Sequence, residues 1–193
     1  ELGKNWREDE EYLKIRESVD PEEVCFILYT SGTTGKPKGA MLTYNNVINN
    51  SLSTGEILKL NEKDRILVPV PFFHSFGCVL GMTMPLVYGA SIVAMDVFNP
   101  EEALELIDKR RCSLVYGVPT MFVMELNSPK LKEVDTSSLR TGIIGAAPCP
   151  IEVIKGIREK MHCDICIGYG LTETSPLVSL TRFEDSDEIR AET

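Results

Sequence analysis

Short apolar runs alternate with helix-length segments along most of this chain, and that alternation restricts the fold more than any other feature. The runs over 24–29, 65–70, 91–95, 112–116, 141–145, 163–168 and 177–181 read as strands, the first of them buried. Helices are expected over 10–18, 44–58, 76–88, 100–109, 119–126 and 151–161. Thr43 is placed to cap the second, with Tyr44, Ile48 and Leu52 on one face. Asn99-Pro100-Glu101-Glu102 combines a capping residue, a proline at the first position and acids in the first turn, the signature of a helix start. Ile151, Ile154, Ile157 and Met161 share one side of the last helix. Strand and helix in turn predict an α/β fold with a mostly parallel sheet flanked by helices. Such sheets bind ligands at the carboxyl ends of their strands.

A chain of 193 residues, 43% hydrophobic and 25% charged, can build one domain around a real core. Its net charge of −9 is concentrated at the ends. Residues 1–20 read as an acidic lead-in, 21–183 as the domain core and 184–193 as an acidic tail, solvated over Glu184–Glu188. Residues 24–183 balance fifteen acids against fifteen bases and carry no basic stripe, which argues against nucleic acid or an anionic membrane as the main partner. Residues 66–95 contain no Asp, Glu, Lys or Arg, but prolines and glycines interrupt them, so they read as strand, helix and strand in a core and not as a membrane span. Six cysteines lie in apolar contexts and read as small core residues. Cys163-Asp164-Ile165-Cys166 is formally CxxC, with a redox or metal role as the alternative, but no second pair stands at zinc-binding spacing. Free thiols suit a reducing compartment, and a cytoplasmic location is expected.

The first strand leads into Tyr29-Thr30-Ser31-Gly32-Thr33-Thr34-Gly35-Lys36-Pro37-Lys38-Gly39. Glycines let a backbone approach a ligand closely, hydroxyls and N–H groups can surround phosphate oxygens, and Lys36 and Lys38 add positive charge. The segment is not a Walker A loop: only two residues separate Gly32 from Gly35, and Pro37 follows Lys36. A plain surface turn has the same composition, so this segment alone does not identify a function.

Three further segments fall at strand ends. Phe73 and His74 sit in Pro-Phe-Phe-His-Ser-Phe-Gly, where a neutral imidazole can meet a carboxylate. Gly145, Ala146 and Ala147 are small enough to admit a flat ring. Gly168, Tyr169 and Gly170 lead into Leu171-Thr172-Glu173, with Tyr169 available for stacking, Thr172 for a phosphate and Glu173 as a hard oxygen ligand for Mg²⁺. Each alone has a structural reading: a core histidine, a packed tyrosine, a solvated glutamate.

Together, in this order and spacing, the four segments resemble those of adenylate-forming enzymes, and the loop with Gly-Tyr-Gly-Leu-Thr-Glu-Thr-Ser-Pro looks most like a fatty acyl-CoA synthetase. Residues 116–122, Tyr-Gly-Val-Pro-Thr-Met-Phe, add to that similarity. The resemblance covers residues 21–181. It implies that Thr30, Ser31, Gly32, Thr33, Thr34, Gly35 and Lys36 hold the β- and γ-phosphates of ATP. Gly145, Ala146, Ala147, Gly168, Tyr169 and Gly170 would border the nucleotide, Thr172 would contact the α-phosphate and Glu173 would hold Mg²⁺. His74, Phe73 and Gly145 would border the acyl carboxylate. Implied catalytic residues are thus Glu173, Thr172, His74 and Lys36, and the implied partners are a small carboxylic acid, ATP, which ends as AMP, and coenzyme A. An aryl-CoA ligase, another adenylate-forming enzyme and a non-catalytic ATP-binding module are the alternatives. A peptide-synthetase adenylation domain is disfavoured by Phe73-His74 and by Leu171. The family's ribose-binding Asp, the Arg after it and a C-terminal catalytic Lys have no counterpart in these residues, so a central piece that binds nucleotide weakly and does not turn over alone is expected.

Overall fold

The computed structural model describes residues 9–31 and 35–192. Its centre is a six-stranded sheet of order β4-β3-β5-β6-β7-β8, formed by β3 (Arg65–Val68), β4 (Ser91–Ala94), β5 (Leu114–Gly117), β6 (Thr141–Ile144), β7 (Asp164–Gly170) and β8 (Leu177–Leu180). Every pairing is parallel except β7 with β8. The expected α/β class with a mostly parallel, helix-flanked sheet is therefore the observed one.

Period-two alternation sends the strands' side chains into two cores. On one face Leu67, Val115, Ile144 and Ile165 pack under α4 (Pro100–Arg110), α5 (Pro119–Asn127) and α6 (Ile151–Met161). On the other, Ile66, Val68, Leu114, Tyr116 and Ile143 pack with α2 (Tyr44–Ile57), a π-helical stretch Phe76–Thr83 and α3 (Met84–Tyr88). Helix α4 begins as its sequence predicts: the Asn99 carboxamide oxygen accepts from the N–H groups of Glu101 and Glu102, at 3.0 Å each. Cys163 faces the first core and Cys166 the second, and both thiols are free. Residues on opposite faces of one sheet cannot join in a CxxC redox or metal site, so that alternative is excluded. Burial raises both thiols, Cys166 to about 11.

One expectation is corrected. The first strand, β1 (Val24–Thr30), is not buried in the sheet. It pairs antiparallel with β2 (Lys38–Thr43), a strand the sequence reading missed, in a separate two-stranded ribbon. Cys25, Phe26 and Leu28 pack onto the second core, whereas Ile27 and Tyr29 are 57% and 76% exposed. β1 and β2 thus flank the glycine-rich segment, and a two-stranded ribbon has one face to bury and one to show.

Helix α2 carries Tyr44, Ile48 and Leu52 on one face, as expected, and that face is the outward one. Tyr44, Ile48 and Leu52 are exposed, and Val47, Ser51, Thr54 and Gly55 are buried. Small residues win because Tyr88 of α3 lies against Gly55, where a Cβ would come within 2.2 Å of its ring, and the Tyr88 hydroxyl donates to the Leu52 carbonyl. The large apolar residues mark a helical period but not its buried side.

Glu184 and Glu188 are exposed, as expected, but the tail is anchored beyond them. Helix α7 (Asp187–Glu192) packs on α6, and Arg190 is wholly buried. Its guanidinium reaches Asp164 at 2.6 Å and the carbonyls of Ile165, Phe183 and Asp185 at 2.7, 2.9 and 3.2 Å. One buried cation with four oxygen partners ties the end of the chain to the start of β7. Helix α1 (Glu10–Ser18) is the exposed helix the sequence predicts, with no buried residue. Among the described residues no helix is long and apolar enough to cross a membrane.

Candidate active site

A cavity of about 550 Å³ opens at the carboxyl ends of β6 and β7, where a parallel sheet places its ligands. Its floor is apolar: Phe76, Leu80, Ile143 and Leu177. Its mouth is polar: Thr30 and Ser31 from the end of β1, Lys38 from the start of β2, His74 from the turn after β3, and Thr172 with Glu173. An apolar interior beneath a rim of hydroxyl, cation and carboxylate suits a ligand with an apolar body and a phosphate or carboxylate end.

Local chemistry explains each wall. β6 ends at Ile144, and the Gly145 N–H bonds to the Gly117 carbonyl at 3.2 Å, after which Ala146 adopts a φ of +69°. A side chain in the left-handed region is uncommon, and such backbone concentrates at binding sites. β7 ends in Gly168-Tyr169-Gly170, where a Cβ on Gly170 would stand 1.9 Å from the Pro176 carbonyl oxygen. That close approach lets the chain reverse through a 3₁₀ turn, Thr172–Thr174. The turn is closed from within. The Leu171 N–H bonds to the Pro176 carbonyl at 2.9 Å, and the Thr174 hydroxyl lies 2.8 Å from the carbonyls of both Leu171 and Pro176. It presents Thr172 and the exposed Glu173 to the cavity.

His74 stands on a turn closed by its own N–H to the Pro71 carbonyl, at the mouth of the π-helical stretch Phe76–Thr83. Its Nδ1 accepts from the Phe76 N–H at 3.1 Å. An acceptor Nδ1 puts the imidazole proton on Nε2, which is left to donate to a ligand oxygen. π-Helical segments are rare and recur at functional sites.

Of the residues singled out from sequence, the fold brings Thr30, Ser31, His74, Gly145, Ala146, Gly168, Gly170, Thr172 and Glu173 onto one cavity. Gly35, Lys36, Ala147, Tyr169 and Phe73 are described but lie outside its walls, and Gly32, Thr33 and Thr34 fall outside the described residues. Lys38, not Lys36, is the lysine on the wall. It pairs directly with Thr30 across the ribbon, so the two face the site together. The floor residues carry no motif and could not have been found.

The donor set fits a hard divalent cation held through phosphate. Among the described residues no group of three or more His, Cys, Asp or Glu could enclose a metal. Glu173 is the carboxylate on the wall, and Mg²⁺ is commonly held by one or two carboxylates plus phosphate oxygens and water. Glu173 also borders a second, polar cleft of about 490 Å³ between α2 and β8.

Known proteins resemble this chain in sequence and in fold. The family profile described as AMP-binding enzyme matches residues 2–193. The putative acyl-CoA synthetase YngI of Bacillus subtilis is 46% identical over 186 residues, 96% of this chain and 34% of that protein. The mitochondrial medium-chain acyl-CoA ligase ACSF2 of Macaca fascicularis is 42% identical over 189 residues, 95% of this chain and 31% of that protein. The crystal structure of ATP-bound MatB from Rhodopseudomonas palustris superposes with a TM-score of 0.78 at 30% identity, covering 88% of this chain and 33% of MatB. The chain thus spans about a third of the length of the relatives it matches.

Proposed function

We infer the reaction from one premise: this chain belongs to the AMP-binding enzyme family. The complete protein joins a carboxylic acid, an aliphatic one by preference, to coenzyme A with cleavage of ATP to AMP and pyrophosphate. One observation carries this reading: Thr30, Ser31 and Lys38 line the same cavity as His74, Thr172 and Glu173, above an apolar floor. The relatives named as acyl-CoA synthetase and medium-chain acyl-CoA ligase support it. Within the protein, residues 21–183 form the adenylation core. Its free cysteines suit a reducing compartment, and we assign the cytoplasm.

In the first step a carboxylate oxygen of the acid attacks the α-phosphorus of ATP. A new O–P bond forms, the bond to the β-phosphate oxygen breaks, and pyrophosphate leaves. Both reactants are anions, so their approach must be offset by fixed positive charge and oriented donors. The hydroxyls of Thr30 and Ser31 and the Lys38 ammonium address the departing phosphates, and the Thr172 hydroxyl addresses the α-phosphate. The His74 Nε2–H orients the acid's carboxylate, and its apolar body lies along Phe76, Leu80 and Ile143. Glu173 would hold Mg²⁺, which when bound neutralises phosphate charge and stabilises the leaving pyrophosphate. In the second step the coenzyme A thiol attacks the acyl carbon, a thioester forms and AMP leaves.

A panel of aliphatic, aromatic and amino acids offered to the complete protein with ATP and coenzyme A tests this reading. AMP release is expected with aliphatic acids. Release confined to aromatic acids would make it an aryl-CoA ligase, and none with any acid would leave a nucleotide-binding module.

The two lysines give a sharper prediction. Lys38→Ala should raise the KM for ATP about tenfold, the worth of one charge-assisted hydrogen bond, and Lys36→Ala should raise it less. Steady-state kinetics with ATP varied and the acid saturating decide between them. A larger effect at Lys36 would return the phosphate contact to the residue first expected.

A further inference from the structure

The side chain of Asn50, on α2, makes three hydrogen bonds to a segment more than a hundred residues away. Its Nδ2 donates to the carbonyls of Leu177, at 2.8 Å, and Thr174, at 3.3 Å. Its Oδ1 accepts from the Leu177 N–H at 3.3 Å. Leu177 opens β8, the edge strand of the main sheet, and β7 lies on its other side. Asn50 therefore takes both backbone groups that Leu177 turns outward, as the peptide of a neighbouring strand would. Only a short carboxamide can do this. Aspartate lacks the donor, leucine lacks both groups, and glutamine is longer by a methylene.

The position of this clamp gives it a role. Helix α2 follows β2 without a break, capped by Thr43, and β2 begins at Lys38 on the cavity wall. The segment that Asn50 holds is the far end of the reversal carrying Thr172 and Glu173. Hydrogen bonds within the turn fix its shape, as described above, but they do not fix where the whole turn stands relative to the phosphate-binding ribbon. Asn50 does that. We infer that Asn50 is a positioning residue, setting the distance between the Thr30–Lys38 side of the cavity and the Glu173 carboxylate. The inference rests on the active-site reading proposed above.

Asn50→Ala and the nearly isosteric Asn50→Leu, made in the complete protein, test it beside Glu173→Gln. The first readout needs no ligand: hydrogen exchange at the Leu177 amide should quicken in both Asn50 variants. The second is the Mg²⁺ concentration giving half-maximal adenylation at saturating ATP. It should rise about tenfold, in the range seen when partners of a metal ligand are removed. Because Asn50 acts through the turn, Asn50→Ala combined with Glu173→Gln should need no more Mg²⁺ than Glu173→Gln alone. Wild-type exchange at Leu177, wild-type Mg²⁺ dependence in both Asn50 variants, or full additivity in the double variant would each overturn the inference while leaving the active-site reading intact. If Glu173→Gln itself leaves Mg²⁺ dependence unmoved, the active-site reading fails and the positioning role falls with it. Asn50→Leu retains side-chain volume, so a general packing loss in Asn50→Ala would separate from the specific effect.

Discussion

Glu173→Ala in the complete protein is expected to slow acyl-adenylate formation by roughly 100-fold, in line with the loss of one well-placed electrostatic contact at a reacting centre, and to raise the Mg²⁺ requirement. The reason is geometric. Glu173 is the carboxylate on the cavity wall, it is presented by a turn locked from within, and no cluster of metal-binding side chains among the described residues can replace it. Pyrophosphate exchange into ATP, dependent on the acid and measured across a Mg²⁺ series, isolates this step from thioester formation. Since the floor is untouched, the KM for the acid should stay within about twofold. A variant with the parent's rate and metal dependence would remove Glu173 from the site. A variant that loses affinity for the acid alone would show that the turn borders the wrong substrate.

The fold class was legible because strand-helix alternation survives in the sequence of α4, β5, α5, β6, α6 and β7, where apolar period and capping agree. It was least legible where small residues decide packing. In α2 the contact between Gly55 and Tyr88 sets the buried face, and a count of large apolar residues points the other way. β2 is hard to read because it opens with lysine, glycine and alanine, residues of low β propensity, and pairing with β1 creates it. The polar half of the site was readable, since phosphate and carboxylate chemistry call for particular residue types at strand ends. Lys38 was passed over for Lys36 because register across a hairpin is a tertiary fact. The apolar floor and the Asn50 clamp were unreadable for the same reason: Phe76, Ile143 and Asn50 resemble any other core or helix residue until strand ends and a distant turn are brought beside them.

Glu125→Gln should stabilise the protein at pH 7 by roughly 3 kcal/mol and flatten its stability against pH. Glu125 sits on α5 between α4 and α6 with 1% of its surface exposed, and its Oε2 has no hydrogen-bond partner. Burial raises its carboxyl from 4.5 to about 8. The titratable group coupled to it is Cys163, whose thiol is itself raised, chiefly by burial, and offers no positive charge. Between about 4.5 and about 8 the folded protein therefore holds a proton that the unfolded chain has released. Stability attributable to this group is highest below that window and falls as pH rises through it. Glutamine keeps the shape and removes the ionisation, so the variant and parent should differ little near pH 4.5 and increasingly above it. Urea unfolding at pH 5, 7 and 8.5 measures the effect. Parallel curves for parent and variant across that range would mean that the carboxylate ionises inside the folded protein at no penalty, which the apolar packing around α5 does not allow.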